Sequence, residues 1–160
     1  MKTVVITGGT DGIGRALAHA RLDRGDHVVI VGTNRHKGES SLAEAEQKGA
    51  RGRAAFISDD LELIDENTRL IEDLGARLTR LDLLVLDARC QRVRRAETAD
   101  GSESDFALSY LSRMPLSHGL RCPLDRADNG VVLTSAAPTD SARRNGTTCS
   151  NPGATTSSRP

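Results

Sequence analysis

The chain has 160 residues, and 22 Lys+Arg balance 22 Asp+Glu for a formal net charge of zero. That length suits one domain with a real core, and the interspersed charge excludes the basic footprint of a nucleic-acid binder or of a protein held on an acidic membrane surface. Aromatics are nearly absent (Phe56, Phe106, Tyr110 and no Trp), so the core has to be aliphatic and alanine-rich.

The first predicted element is a short buried strand, Val4-Val5-Ile6. It runs into Thr7-Gly8-Gly9-Thr10-Asp11-Gly12-Ile13-Gly14 and then into a helix that reaches about Arg24 and ends at Gly25. Strand, glycine-rich turn and helix start is the order a nucleotide-binding βα unit needs. Gly8 allows the tight turn, Gly12 the approach of backbone to a pyrophosphate, and Gly14 close packing of helix on sheet. The amides at the helix start then face the phosphates, where the helix dipole favours negative charge. Ile13, Leu17, Ala20 and Leu22 are the expected apolar stripe of this helix.

The alternation continues. His27 to Val31 is a second strand, apolar throughout as a strand covered on both faces should be. A second helix is expected from Ser40 and Ser41 to about Lys48, a third strand at Ala54 to Ser58, and a third helix from Ile64 to Leu78. Leu81 to Leu86 reads as a fourth strand, Glu103 to about Leu120 as a fourth helix, and Val131 to Ser135 as a fifth strand. Pro115 falls inside the fourth helix, where it removes the backbone bond to Leu111 at a cost of about 3 kcal/mol unless a kink absorbs it. Repeated βα units imply an α/β fold, a Rossmann-like doubly wound parallel sheet of about five strands in the order 3-2-1-4-5.

No apolar run approaches transmembrane length, and the chain opens directly into a strand rather than a signal peptide, so a cytoplasmic protein without a membrane partner is expected. Cys90, Cys122 and Cys149 are odd in number and widely spaced, which suits reduced thiols. His19, His27, His36 and His118 have no ligand spacing, and no metal site is expected.

Three residues separate Gly8 from Gly12, and Thr7 precedes the first glycine. This Thr-Gly-x-x-x-Gly-Ile-Gly pattern resembles the short-chain dehydrogenase/reductase family, whose members move hydride between a nicotinamide cofactor and a small carbonyl or alcohol. The resemblance implies that Thr7, Gly8, Thr10, Asp11, Gly12, Ile13 and Gly14 cradle the cofactor. At the end of the second strand, where an acid would select NAD, stands Gly32-Thr33-Asn34-Arg35. Gly32 leaves room for a 2′-phosphate, Thr33 and Asn34 can hydrogen-bond it and Arg35 can pair with it, which favours NADP. The same loop also reads as a solvated basic stretch. Asp60-Leu61 matches the family's adenine-contacting pair, although an Asp there is also a good helix cap.

Beyond this point the sequence departs from the family. Leu86-Asp87-Ala88-Arg89 stands where the family carries Asn-Asn-Ala-Gly, so Asp87 and Ala88 would still flank the cofactor while Arg89 crowds it. The helix asparagine that supports a catalytic water chain falls on Ser109, and the catalytic serine falls on Ser135. The Tyr-x-x-x-Lys pair that should follow is missing. Tyr110 precedes Ser135 and sits among Phe106 and Met114 as a packing residue, and the lysines are Lys2, Lys37 and Lys48.

From Ala136 to Pro160 there is no Leu, Ile, Val, Phe, Tyr, Trp or Met. Such a segment cannot bury enough apolar surface to fold. The expected organisation is therefore a dinucleotide-binding domain at 1–135 and a disordered tail at 136–160. A reading-frame change near Ala137 accounts for the abrupt break, with a natural flexible tail as the alternative. Two functions follow: an NADP-dependent oxidoreductase by resemblance, and a non-catalytic dinucleotide-binding module or inert fragment. Without the family's covering segment, the apolar face of helix 103–120 would be free for self-association.

Overall fold

β1 (Thr3–Thr7) lies at the centre of the molecule, and every one of its last four residues is buried. The computed structural model describes residues 1–90, 92 and 94–135. The segment 136–160, with the expected disorder, the frame change near Ala137 and Cys149, lies outside the described residues. β1 pairs in parallel with β2 (His27–Gly32) on one side and with β4 (Leu83–Leu86) on the other. β3 (Ala54–Ser58) extends the sheet beyond β2 and β5 (Val131–Thr134) beyond β4, giving one five-stranded parallel sheet in the order β3-β2-β1-β4-β5. This is the predicted Rossmann-like topology.

The two-residue period of each strand divides the core into two layers. Val4, Ile6, Val28, Ile30 and Val85 point to the face covered by α1 (Gly12–Asp23) and α2 (Arg35–Gln47), where they meet Ala18, Leu22 and Ala45. Val5, Val31, Leu84 and Leu86 point to the opposite face. There they pack with Leu70 and Leu74 of α3 (Ile64–Arg77) and with Leu116 and Leu120 near the carboxyl end of the fold.

Several boundaries differ from the sequence expectation. α2 starts at Arg35 rather than Ser40, because the side chain of Asn34 accepts from the amide of Lys37 and caps the helix earlier. Gly38 then lets that first turn lie directly on the ring of Phe56. In α1 the buried positions are Gly14, Ala18 and Leu22, whereas Ile13 is 68% exposed and Ala20 also faces solvent. The stripe is therefore set by the i, i+4 row through Ala18, and Ile13 is left over the cleft.

The expected helix 103–120 is broken. A short α4 (Ser104–Phe106) opens into a π-helical turn at Ala107–Leu111, followed by α5 (Arg113–Gly119). Pro115 supplies the reason, since it has no amide for Leu111. The turn before it widens instead, and the Ser112 amide reaches back to Ala107 O at 2.9 Å. Another turn, α6 (Arg121–Asp125), was not expected from sequence; Pro123 fits there because an amide in the first helical turn has no partner to lose. Phe106, Tyr110 and Met114 are exposed, so the helix face is uncovered and Tyr110 packs on the Phe106 ring rather than into a core, while Leu111 of the same face is half-buried. Phe106 and Tyr110 stack with ring centroids 5.2 Å apart.

Two buried aspartates fasten the start of β1. Asp26 accepts from the Lys2 amide at 2.8 Å and pairs with Arg21 at 2.8 Å. Asp82 accepts from the Thr3 amide at 2.8 Å and pairs with Arg80 at 2.5 Å. No helix among the described residues is long and apolar enough to cross a membrane.

Candidate cofactor site

The carboxyl ends of β1, β2, β3 and β4 open into a cleft of about 320 Å³. Its position follows from the sheet order, because the chain leaves β1 toward β2 on one side and returns to β4 on the other, so the loops diverge above β1. Thr7 ties this edge together. Its hydroxyl donates to Val85 O at 3.4 Å and accepts from the Ala88 amide at 3.2 Å. The Gly8 amide donates to Val31 O at 2.9 Å, which turns the chain off the strand.

Two close approaches define the turn. Gly8 has φ +72°, and a β-carbon there would stand 2.8 Å from the Ala88 backbone. A β-carbon on Gly14 would stand 2.5 Å from Gly8 O and 3.0 Å from a carboxylate oxygen of Asp87. The turn is thus folded tightly enough to bring the first amides of α1 to the cleft floor, the arrangement that receives a pyrophosphate. Asp11 caps α1 by accepting from the Gly12 amide at 2.8 Å, and its other oxygen pairs with Lys37 Nζ across the cleft mouth. Lys37 and the Gly12 amide hold the Asp11 carboxyl below the usual range.

Of the residues singled out from sequence, Gly8, Thr10, Asp11, Gly12, Ile13, Thr33, Leu61, Asp87 and Ala88 line this cleft. Thr7 and Gly14 lie behind it as supports. Asn34 and Arg35 start α2 next to Thr33, but the Asn34 side chain is occupied as the cap. The space over Gly32 is filled rather than open: a β-carbon there would lie 3.0 Å from Thr10 Oγ1. Asp60 is exposed and its carboxylate accepts from the Glu62 amide at 3.1 Å, closing a turn ahead of α3; the helix itself begins after Leu63 without a side-chain cap, so Asp60 is not its cap.

The carboxylate that lines the cleft at the end of β3 is Asp59, which sequence reading passed over. It is buried beside Glu66 and pairs with Arg69 at 3.0 Å. Burial and the neighbouring Glu66 carboxylate push its carboxyl up to about 6, against the pull of Arg69. The Asp59-Asp60 doublet was the available signal. Side chains alternate along the extended chain, so with Ser58 exposed Asp59 turns inward and Asp60 out.

At the other end of the cleft the Ser135 hydroxyl donates to Asp87 Oδ1. Arg113, also missed from sequence, joins the ends of β4 and β5. Its guanidinium donates to Thr134 Oγ1 at 2.6 Å, Ser135 O at 2.7 Å and Ala88 O at 3.4 Å. Arg89 is exposed and lines the cleft wall. Ser109 is half-buried within the π turn and is not among the residues lining the cleft, although its neighbour Leu108 is. The Thr-Gly turn and the diverging loops are those of a Rossmann-type dinucleotide-binding fold.

The family description "short chain dehydrogenase" matches residues 2–136, and the chain belongs to that family. It is 29% identical over 136 residues to the WW domain-containing oxidoreductase of Drosophila melanogaster, covering 84% of this chain and 33% of that protein. To human polyprenol dehydrogenase it is 28% identical over 142 residues, covering 89% of this chain and 41% of the relative. The chain thus spans between a third and a half of the length of these relatives. The NADP complex of RhlG from Pseudomonas aeruginosa superposes with a TM-score of 0.69 at 25% identity, covering 86% of this chain and 57% of that one.

Proposed function

We propose that this chain binds NADP(H) in the cleft above β1, and that it holds the cofactor without turning over a substrate as an isolated polypeptide. The observation that carries the binding reading is the double backbone approach at Gly8 and Gly14, which leaves a side chain no room. The residues present fit the group. The amides at the start of α1 would take the pyrophosphate, Thr33 and Arg35 the ribose 2′-phosphate beside the Asn34 cap, and Leu61 and the acids beside it the adenine.

In an oxidoreductase of this family the bound nicotinamide would exchange hydride with a small carbonyl or alcohol. This chain's own groups for guiding such a reaction are few. The Ser135 proton is already committed to Asp87, so a carbonyl would have to displace that bond. Ser109 does not line the cleft, and Tyr110 is 60% exposed and stacked on Phe106. No Tyr-x-x-x-Lys pair follows Ser135 in the sequence to relay a proton. The domain limits of 1–135 and 136–160, a cytoplasmic setting and self-association through Phe106, Tyr110 and Met114 belong to the same reading. Neither nucleic acid nor membrane is a partner in it.

The test is a titration of the full chain with NADPH, followed by its fluorescence, and then an assay of NADPH consumption with a panel of carbonyls. Saturable binding without turnover is the expected result. Turnover would make the chain a working oxidoreductase, and no binding would leave an inert fragment.

A further inference from the structure

We propose that Asp87 biases this cleft toward the oxidised form of the dinucleotide over the reduced one. The inference rests on the dinucleotide reading above. With the pyrophosphate on the start of α1 and the adenosine over the ends of β2 and β3, the remaining half of the ligand extends over the end of β4. Asp87 is the carboxylate that lines the cleft there. It is held in place from several sides. Its amide donates to Thr7 O at 3.3 Å, the Ser135 hydroxyl donates to Oδ1, and Oδ2 lies 3.0 Å from where a Gly14 β-carbon would stand.

The two redox forms share adenosine, phosphates and riboses. They differ in the ring, which carries one positive charge when oxidised and none when reduced. A fixed carboxylate on the ring's side of the cleft attracts the first and is indifferent to the second. At a separation of ~7 Å and an intermediate effective dielectric, one charge is worth about five-fold in affinity. The cationic neighbours have to be weighed. Arg113 does not line the cleft and donates to Thr134 Oγ1, Ser135 O and Ala88 O, but its charge lies close enough to Asp87 to offset part of the carboxylate's field. Arg89 does line it and acts against Asp87.

The experiment compares dissociation constants of NADPH, by its fluorescence, and of NADP+, by displacement of bound NADPH, on the full chain. Asp87→Asn keeps the size of the side chain, and Asp87→Ser is the second variant. Both are expected to shift the affinity ratio about five-fold toward NADPH, and Arg89→Gln is expected to shift it the opposite way. Binding with a ratio unchanged within about two-fold in both Asp87 variants overturns the proposal and leaves the dinucleotide reading standing. Should neither variant fold, an unmoved ratio in Arg89→Gln overturns it, because the same field is altered there. Absence of binding of either nucleotide to the folded wild-type chain overturns both readings.

Discussion

Gly8 and Ala88 meet backbone to backbone, with the position of a Gly8 β-carbon 2.8 Å from both N and Cα of Ala88. The contact joins the turn after β1 to the loop after β4 across the floor of the cleft. Gly8 also adopts φ +72°, which a side chain strains further. Gly8→Ala is expected to lower the unfolding free energy by about 2 kcal/mol or more and to weaken NADPH binding sharply. Urea denaturation with unchanged midpoint in the variant would show that the two loops do not touch in this way.

Asp82 makes the fold sensitive to acid. Its burial works against ionisation, but Arg80 and the Thr3 amide outweigh it and hold the carboxyl below the usual range. A depressed folded-state value contributes stability above the unfolded value, and that contribution is lost as pH falls through the folded one. Wild type should therefore lose stability progressively below about pH 4. Asp82→Asn should be less stable at pH 7 and show a flatter profile over that range in thermal melts. Parallel profiles would remove Asp82 from the account.

Asp59 has the opposite sign. Its carboxyl is pushed from 3.8 up to about 6, so the folded state binds the proton more tightly than the unfolded one. The stabilising contribution is complete below the unfolded value and disappears as pH rises through about 6. Asp59→Asn should then be more stable than wild type at pH 7, and the gap should close toward pH 4. Its partner Arg69 is 65% exposed in its side chain and remains hydrated without the carboxylate. A variant less stable than wild type at pH 7 would mean that the Arg69 pair prevails over burial.

The stacked pair Phe106 and Tyr110, together with Met114, forms an apolar patch on α4, the π turn and α5. Such a patch on a small domain promotes association. Replacing Phe106 and Tyr110 together by Ser is expected to shift the sedimentation distribution toward monomer with little change in melting temperature. An unchanged distribution at high concentration would place any association elsewhere.

The legible parts of the fold are those with a single strong period. β3 was read to the residue, because Ala54 to Ser58 is a short apolar run between a glycine turn and two aspartates. The order of the sheet followed from strand and helix alternating through the chain. What escaped depended on contacts distant in sequence. The start of α2 is fixed by the Asn34 cap and by Gly38 lying on Phe56, and neither the cap geometry nor that contact is visible locally. Ile13 and Ala20 looked like a core stripe but turn outward because Ala18 carries the contact with the sheet. At the site, the glycine turn was readable from its spacing together with the strand before it and the helix after it. Asp59 and Arg113 were not, since their importance comes from burial between elements rather than from any motif.

The clasp of Thr3 by Asp82 spans 79 residues, and β1 pairs with β4 at the same distance along the chain. The earliest of the five described strands is therefore the middle strand of the sheet. During synthesis β1, β2 and β3 can associate as they emerge, since their connections are short. One edge of β1 stays open until β4 arrives, with Val4, Val5 and Ile6 waiting. Long-range pairing of this kind is slow relative to local helix formation. The interval before residue 83 clears the exit tunnel is thus the period in which the nascent chain most needs protection from other chains.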